Sequence, residues 1–141
     1  TFANVTGTAN SVGVNTGTGL TLNIAVLLGQ WLGTTNNDWG VASNWSGGVI
    51  PTSNDDVNLA GAGSTITLTT GNFTVKSLTT GAGSSLQLNG GGLTITGVTN
   101  VAGGLSIAAG THTFGGASVF NGTTQLSGGD LIANGNLKTD I

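Results

Sequence analysis

Apolar and polar residues alternate along most of the chain, and glycine interrupts the alternation at regular places. Four of these glycines recur at intervals of 20, 19 and 19 residues, each between two short alternating stretches: Gly71, Gly91, Gly110 and Gly129. Alternation with a period of two predicts β-strands, and a fixed interval near 20 residues is typical of stacked repeats. No stretch has a convincing 3.6-residue period, so little or no helix is expected.

Aligned on these glycines, each repeat predicts three strands with inward-facing residues two positions apart. The first strand position carries Ile66/Leu68, Leu86/Leu88, Leu105/Ile107 and Thr124/Leu126. The second carries Phe73/Val75, Leu93/Ile95, His112/Phe114 and Leu131/Ala133. The third, which is less regular, carries Val57/Leu59, Lys76/Leu78, Val98, Val119 and Leu137.

This pattern predicts an all-β fold, a three-sided parallel β-solenoid (β-helix) of about four rungs with an apolar axis. A second glycine column follows the second strand position, and turns that require positive φ are the expected reason for it: Gly97, Gly116 and Gly135. An antiparallel β-sandwich is the alternative, because short strands with glycine turns also suit that fold. The constant interval favours the solenoid, since sandwich strands need no fixed period.

The chain divides into three zones: an N-terminal strand segment at 1–33, a Trp-rich irregular cap at 34–56, and solenoid repeats at 57–141. The apolar run at 20–32 is too short and too polar to span a bilayer. It predicts an assembly segment, which either pairs with a neighbouring subunit or folds over its own first rung: Leu20, Leu22, Ile24, Val26 and Leu28. Because the chain starts at Thr1, we expect a removed signal or pro-segment, or an excised fragment.

The two ends of the predicted rod differ. The tryptophan zone can cover the N-terminal end, whereas the last rung, at 130–141, contains no aromatic or amphipathic cap. Uncovered ends of a solenoid invite pairing with other chains. We therefore expect either a longer parent chain or head-to-tail association into a homopolymer, since heterologous contacts that do not close produce filaments.

Composition narrows the classes of partner. Charged residues make up 5% of the chain, the net charge is −3, and arginine and cysteine are absent. Nucleic acids and anionic membrane surfaces are disfavoured, because almost no cation is present to neutralise phosphate. A chain without cysteine is compatible with export, so we expect a secreted or surface location without membrane insertion.

All three tryptophans lie within one stretch that precedes the only proline. Its spacing resembles a motif found ahead of β-helical repeats in bacterial surface proteins of the autotransporter-passenger and adhesin type. The matching positions are Trp39, Ala42, Asn44, Trp45, Gly48, Pro51, Asp55 and Val57. The resemblance implies a β-helical surface scaffold and says almost nothing about chemistry, because such proteins share an architecture rather than a reaction.

Two groups of residues are considered for ligand binding. Trp31, Trp39 and Trp45 are predicted to close the end of the lumen, with a sugar-stacking platform as the functional alternative. Asp38, Asp55 and Asp56 are weak calcium candidates, because the same side chains commonly bond nearby backbone in turns. No other cofactor is predicted.

Enzymatic activity is not expected, because the outward-facing strand positions of the repeats lack the clustered carboxylates of polysaccharide lyases and hydrolases. His112 has no cysteine or second histidine to work with, and it is predicted to bond a turn carbonyl. Thr-x-Thr pairs suit an ice-binding face, but Gln87, Ser106, Gly115 and Ile132 interrupt their columns. Asn-x-Ser/Thr sequons begin at Asn4, Asn44, Asn72 and Asn121.

The sequence therefore predicts a structural, self-associating protein that forms an extracellular fibre, sheath or adhesive layer by stacking of solenoid subunits. A glycan-binding adhesin module is the alternative, with the tryptophans or a Thr/Asn/Gln face as its site. An ice-binding solenoid is the third interpretation.

Overall fold

A computed structural model describes residues 26–61 and 63–139. This part of the chain forms eleven β-strands and two short turns of 3₁₀-helix, at Ala42–Asn44 and Ser46–Gly48. The strands are β1 (Asp56–Leu59), β2 (Thr65–Leu68), β3 (Asn72–Val75), β4 (Ser77–Thr80), β5 (Ser85–Ile95), β6 (Thr99–Val101), β7 (Gly104–Phe114), β8 (Ser118–Phe120), β9 (Thr124–Leu126), β10 (Asp130–Ala133) and β11 (Leu137–Thr139).

The strands line three sides of a coil. Side one is the five-stranded sheet β1-β4-β6-β8-β11. Side two contains β2, the first half of β5, the first half of β7, and β9. Side three contains β3, the second halves of β5 and β7, and β10. The chain visits the sides in this order four times, and β11 follows on side one. Every pairing between these strands is parallel, so the three-sided β-solenoid is confirmed and the antiparallel sandwich is wrong.

The register of sides two and three is the one that the glycine alignment predicts. On side two, Ile66 pairs with Leu86, which pairs with Leu105, which pairs with Thr124. On side three the equivalent column is Phe73, Leu93, His112 and Leu131. Burial alternates along β5 and β7, because every second side chain points to the lumen and its neighbours point outward.

Side one departs from the predicted alignment. Its inner column begins at Val57 and Leu78 and continues through Thr99, Ser118 and Leu137. Placing Lys76, Val98 and Val119 in the lumen is therefore wrong: Lys76 is exposed, Val98 is 61% exposed and Val119 is paired with Asn100 in an outward column. The intervals on this side are 21, 21, 19 and 19 residues, because the turns that precede its strands differ in length.

The lumen is filled by stacked aliphatic side chains and closes toward the later rungs on an aromatic pair. Leu68, Leu88 and Ile107 are fully buried in one column. Phe114 and Phe120 meet edge to face with ring centroids 5.6 Å apart. Burial of each such side chain contributes about 1.5–3 kcal/mol, and no rung can obtain it without a neighbour.

The corners between sides two and three require glycine for two reasons. Gly71, Gly91, Gly110 and Gly129 have φ of 87°, 65°, 89° and 70°. These values lie in the left-handed region, where other residues are strained. In addition, a Cβ on Gly110 would overlap the carbonyl oxygen of Gly91 in the rung before it. The corner therefore needs glycine both for its own backbone and for the stacking of the next rung.

The second glycine column has a different cause from the predicted one. Gly97, Gly116 and Gly135 do not have a left-handed φ, so the expectation of positive φ there is wrong. A Cβ on Gly116 would instead overlap the carbonyl oxygen of Gly97, and one on Gly135 would overlap that of Gly116. Close approach of successive backbones explains these glycines.

The corner glycines can be tested with a matched pair of substitutions. Gly110→Ala should lower the free energy of unfolding by about 1–3 kcal/mol, because the new methyl group meets both a left-handed φ and a carbonyl. Gly83→Ala is the control, since its Cβ would come no closer than 3.8 Å to Gly63 Cα. Urea denaturation measures both values. Equal losses in the two variants would contradict the proposed role of the corner.

Candidate functional site: the tryptophan cap and the open C-terminal rung

The cap continues the sheets of the solenoid at its N-terminal end. On side one, Asn58 donates its backbone N–H to the Gly29 carbonyl at 2.9 Å, and Trp31 donates to the Asn58 carbonyl at 3.2 Å. On side two, Thr67 N–H reaches the Asn37 carbonyl at 2.7 Å. Gln30 and Asp38 thereby form parallel bridges to the first rung. The cap supplies backbone partners to two of the three sides.

The three tryptophans pack together above the lumen. Trp45 lies 4.9 Å from Trp31 and 4.8 Å from Trp39 between ring centroids, both in edge-to-face geometry. Trp39 also contacts Phe73 of the first rung, with centroids 6.4 Å apart. The Trp45 indole N–H donates to the Trp39 carbonyl at 2.8 Å. The aromatic cluster is therefore continuous with the apolar axis.

This packing leaves no tryptophan ring face for a sugar. Trp39 and Trp45 are fully buried, and Trp31 is 8% exposed. Stacking of a pyranose requires an accessible aromatic face, which none of the three rings presents. The tryptophans of the cap act as core residues, and the sugar-stacking alternative loses its geometric basis.

A single buried amide, Asn44, holds the loop of the cap. Its Oδ1 accepts the backbone N–H of Thr35 at 2.9 Å and that of Asn36 at 3.1 Å. Its Nδ2 donates to Asn36 Oδ1 at 2.7 Å and to the Asp38 carbonyl at 2.9 Å. Asn44 is fully buried, whereas the sequon residues Asn72 and Asn121 are exposed. The motif's asparagine is the centre of a hydrogen-bond network.

The three aspartates of the cap region bond to different neighbours. Asp38 Oδ1 accepts the Gly40 N–H at 2.8 Å, as expected for an Asx turn. Asp55 Oδ2 accepts both the backbone N–H and the hydroxyl of Thr52, each at 2.8 Å. Within residues 26–61 and 63–139, no three acidic, histidine or cysteine side chains come together as a metal site. Asp38 and Asp55 thus make the local hydrogen bonds that are typical of turns.

Asp56 belongs instead to a surface cluster on side one. Its Oδ1 accepts the Ser77 hydroxyl at 2.6 Å, and its Oδ2 forms an ion pair with Lys76 Nζ at 2.9 Å. The hydrogen bond from Ser77 lowers the pKa of Asp56, and the bond and charge of Lys76 add to this effect. Both charged side chains are more than half exposed, so the pair contributes little to stability.

His112 is a satisfied residue of the lumen. The side chain is fully buried on side three. Its Nδ1 accepts the Leu93 backbone N–H at 3.2 Å, and its Nε2 lies 3.0 Å from the Ala109 carbonyl beside corner residue Gly110. The predicted bond to a turn carbonyl is confirmed, and both ring nitrogens serve the backbone.

The last complete rung is exposed at the C-terminal end. Leu126, which follows the fully buried column Leu68, Leu88 and Ile107 on side two, is 57% exposed. Leu137 on side one is 46% exposed, and every residue of β9 and β11 is exposed. No strand of the described residues lies beyond this rung, so we call β9, β10 and β11 the open rung.

The cap end also carries exposed apolar side chains. Of the predicted assembly segment, Leu20, Leu22 and Ile24 lie outside the described residues. Val26 is half-buried and Leu28 is 37% exposed, and a Cβ on Gly47 would contact both side chains. Leu27, Leu32 and Val49 are 71%, 47% and 49% exposed. Apolar surface is therefore present at both ends of the rod.

Comparison of the chain with models of protein families, with curated proteins and with solved structures finds no match. Within the described ranges, no helix has the length and apolar character needed to cross a bilayer.

The Asn44 network leads to a test of the cap. Asn44→Ala should lower the free energy of unfolding by about 3 kcal/mol, because one buried side chain that makes four hydrogen bonds is lost. Intrinsic fluorescence reports the change, since Trp39 and Trp45 share the cap with Asn44. Asn100→Ala, at an exposed outward position of β6, should change stability by less than about 0.5 kcal/mol. Similar losses in both variants would argue against the network.

The surface cluster on side one provides a pH test. Ser77→Ala should raise the pKa of Asp56, because the hydroxyl bond is the largest single cause of its lowering. The stabilisation by this carboxylate is present at neutral pH and is lost as the pH falls through the lowered pKa of the folded state. Carboxyl NMR titration of Asp56 measures the shift, with Thr79→Ala as the control. An unchanged pKa of Asp56 in Ser77→Ala would contradict the assignment.

Proposed function

We propose that this protein is a structural, self-associating solenoid in which the open rung of one copy receives the cap end of the next. This arrangement is head-to-tail and gives a homopolymer rather than a closed dimer. The observation that carries the proposal is the contrast between the ends: tryptophans and paired backbone close one end, whereas no strand within 26–61 and 63–139 covers the open rung at the other.

Backbone geometry supports an acceptor role for the open rung. In the preceding rungs, lumen-facing residues bond forward: Leu105 donates to the Thr123 carbonyl at 2.8 Å, and the Ile107 carbonyl accepts from Ser127 at 2.9 Å. By the same alternation, the N–H and C=O groups of Leu126 and Leu137 point away from the previous rung. Edge groups of this kind pair readily with a strand of another chain.

Burial of the two open-rung leucines alone cannot drive the association. Leu126 and Leu137 are about half exposed, so covering both gains about as much as burying one leucine, roughly 2 kcal/mol. The loss of translational and rotational freedom on association costs about 4–15 kcal/mol. Backbone pairing along the open rung must therefore provide a large part of the attraction, at about 0.5–1.5 kcal/mol per hydrogen bond.

The cap region also exposes apolar side chains. Leu27 and Leu32, both within the 20–32 run, and Val49 are exposed there. A net charge of −3 spread over 141 residues produces little repulsion between copies. The outer faces have few charges, which also suits close lateral packing in a fibre or sheath.

The proposal places the protein outside the cell, as a fibre, sheath or adhesive layer, and assigns it no catalytic step. The absence of cysteine and the scarcity of charge support this setting. The mechanism is mechanical, because a solenoid with satisfied ladders transmits load along stacked rungs.

A charge placed on the open rung tests the assembly. Leu126→Lys should prevent filament formation at neutral pH, because an ammonium group would be buried at the contact. Negative-stain electron microscopy and sedimentation velocity of the full chain measure the outcome. We expect filaments or large species for the unaltered protein, growing with concentration, and monomers for Leu126→Lys.

Val98→Lys is the matched control. Val98 is 61% exposed, much like Leu126, but it lies in a turn on the side of the rod. The same charge placed there should leave assembly unchanged. A monomeric unaltered protein at all concentrations, or equal effects of the two lysines, would overturn the proposal.

A further inference from the structure

The outer face of side two contains a shallow groove of about 310 Å³. Its floor is formed by the rung of β7, where Gly104 and Ser106 point outward. Its walls come from the rungs on either side, with Ser85 and Gln87 on β5 and Thr123 and Gln125 at β9. The groove therefore runs along the strand direction, across the axis of the rod.

Differences in side-chain length between successive rungs create this groove. Gln87 pairs with Ser106, and Ser106 pairs with Gln125, so the two glutamines stand two rungs apart on one column. Two ladder spacings correspond to about 9.6 Å. The short side chain of Ser106 leaves the space between the two amides open, and Gly104 keeps the adjacent floor low. A Cβ on Gly104 would come within 3.2 Å of Ser85 Oγ.

The chemistry of the lining selects the class of ligand. The polar side chains of the groove are hydroxyls and primary amides, which both donate and accept hydrogen bonds. None of the lining residues is charged, so an ionic ligand would find no opposite charge. The one large apolar residue, Leu105, is 2% exposed and offers almost no surface to an apolar ligand. A neutral compound with many hydroxyl groups matches this lining.

We propose that the groove on side two, between Gln87 and Gln125, binds a single chain of a neutral glycan. The amides of Gln87 and Gln125 hydrogen-bond sugar hydroxyls from the two walls, and Ser106 contacts the sugar from the floor. Because no aromatic side chain lines the groove, binding is weak at one site. Copies arranged along a fibre would present the groove repeatedly and raise the avidity.

The test is an amide-resolved NMR titration of the full chain, at a concentration below that at which it assembles, with three neutral hexasaccharides: cellohexaose, maltohexaose and fully N-acetylated chitohexaose. We expect at least one of them to shift the signals of Gly104 and Ser106 saturably, with a Kd of about 0.1–1 mM. Hexagalacturonate is the charged comparison, and it should bind at least about tenfold more weakly. Absence of saturable shifts on side two with all three neutral probes would overturn the proposal, as would preferential binding of hexagalacturonate.

A matched pair of variants locates the site. Ser106→Gln fills the floor and should weaken binding at least about tenfold, whereas Thr113→Gln adds the same side chain on the outward face of side three and should change Kd less than about twofold. Gln87→Ala removes one wall and serves as a second variant if Ser106→Gln does not fold. Equal Kd values across these variants would contradict the assignment.

Glycan binding in the groove and head-to-tail assembly can be tested independently of each other. The groove lies on the side of the rod, and Leu126 is not among its lining residues. Leu126→Lys should therefore bind the neutral hexasaccharide with unchanged Kd even when it no longer assembles. Loss of glycan binding in that variant would show that the ligand requires the fibre rather than the groove.

Discussion

The structure depends on one constraint: successive rungs must lie a single ladder spacing apart, about 4.8 Å, at every point around the coil. Strands meet this condition easily, because their carbonyls and amides pair between rungs. At the corners, this spacing is possible only where the residue has no Cβ. At Gly91 and Gly110, the carbonyl oxygen of the preceding rung occupies the space that a Cβ would need. The abundance of glycine follows from stacking as much as from turn conformation.

Because of the same constraint, the two ends of the coil differ from its interior in hydrogen bonding and in apolar contacts. Each interior rung obtains its hydrogen bonds and apolar contacts from the rungs before and after it, so only a terminal rung has unsatisfied capacity. At the N-terminal end, short pieces of chain around Gln30 and Asp38 supply this missing neighbour, and Asn44 fixes the loop that connects them. The open rung has no such device among the described residues, and the proposed head-to-tail stacking rests on this asymmetry.

The sequence predicts sides two and three to the residue because their turns have constant length. Once Gly71, Gly91, Gly110 and Gly129 are aligned, the columns of Ile66 and Phe73 follow without further information. The same alignment does not predict the inward-facing residues of side one. The turns on this side vary in length, and its lumen includes the polar residues Thr80, Thr99 and Ser118. If lumen positions are predicted from apolar residues alone, these three residues are missed and exposed residues such as Val98 are wrongly included. The hydrogen-bond partners of Asn44 could not be predicted either, because they lie in a loop whose sequence has no periodicity.

Those polar lumen positions bear on the stability of the last rungs. Thr80 Oγ1 accepts the Gly103 N–H at 3.3 Å and Ser118 Oγ donates to the Gly116 carbonyl at 3.3 Å, so side one uses hydroxyls where sides two and three use aliphatic groups. Toward the open rung the apolar contribution falls further, since Leu126 and Leu137 are half exposed. In a quasi-one-dimensional array, a rung with one neighbour is the least stable element. A second copy stacked on the open rung would stabilise that rung and complete its ladder at once, so association and ordering of this end would be a single coupled equilibrium.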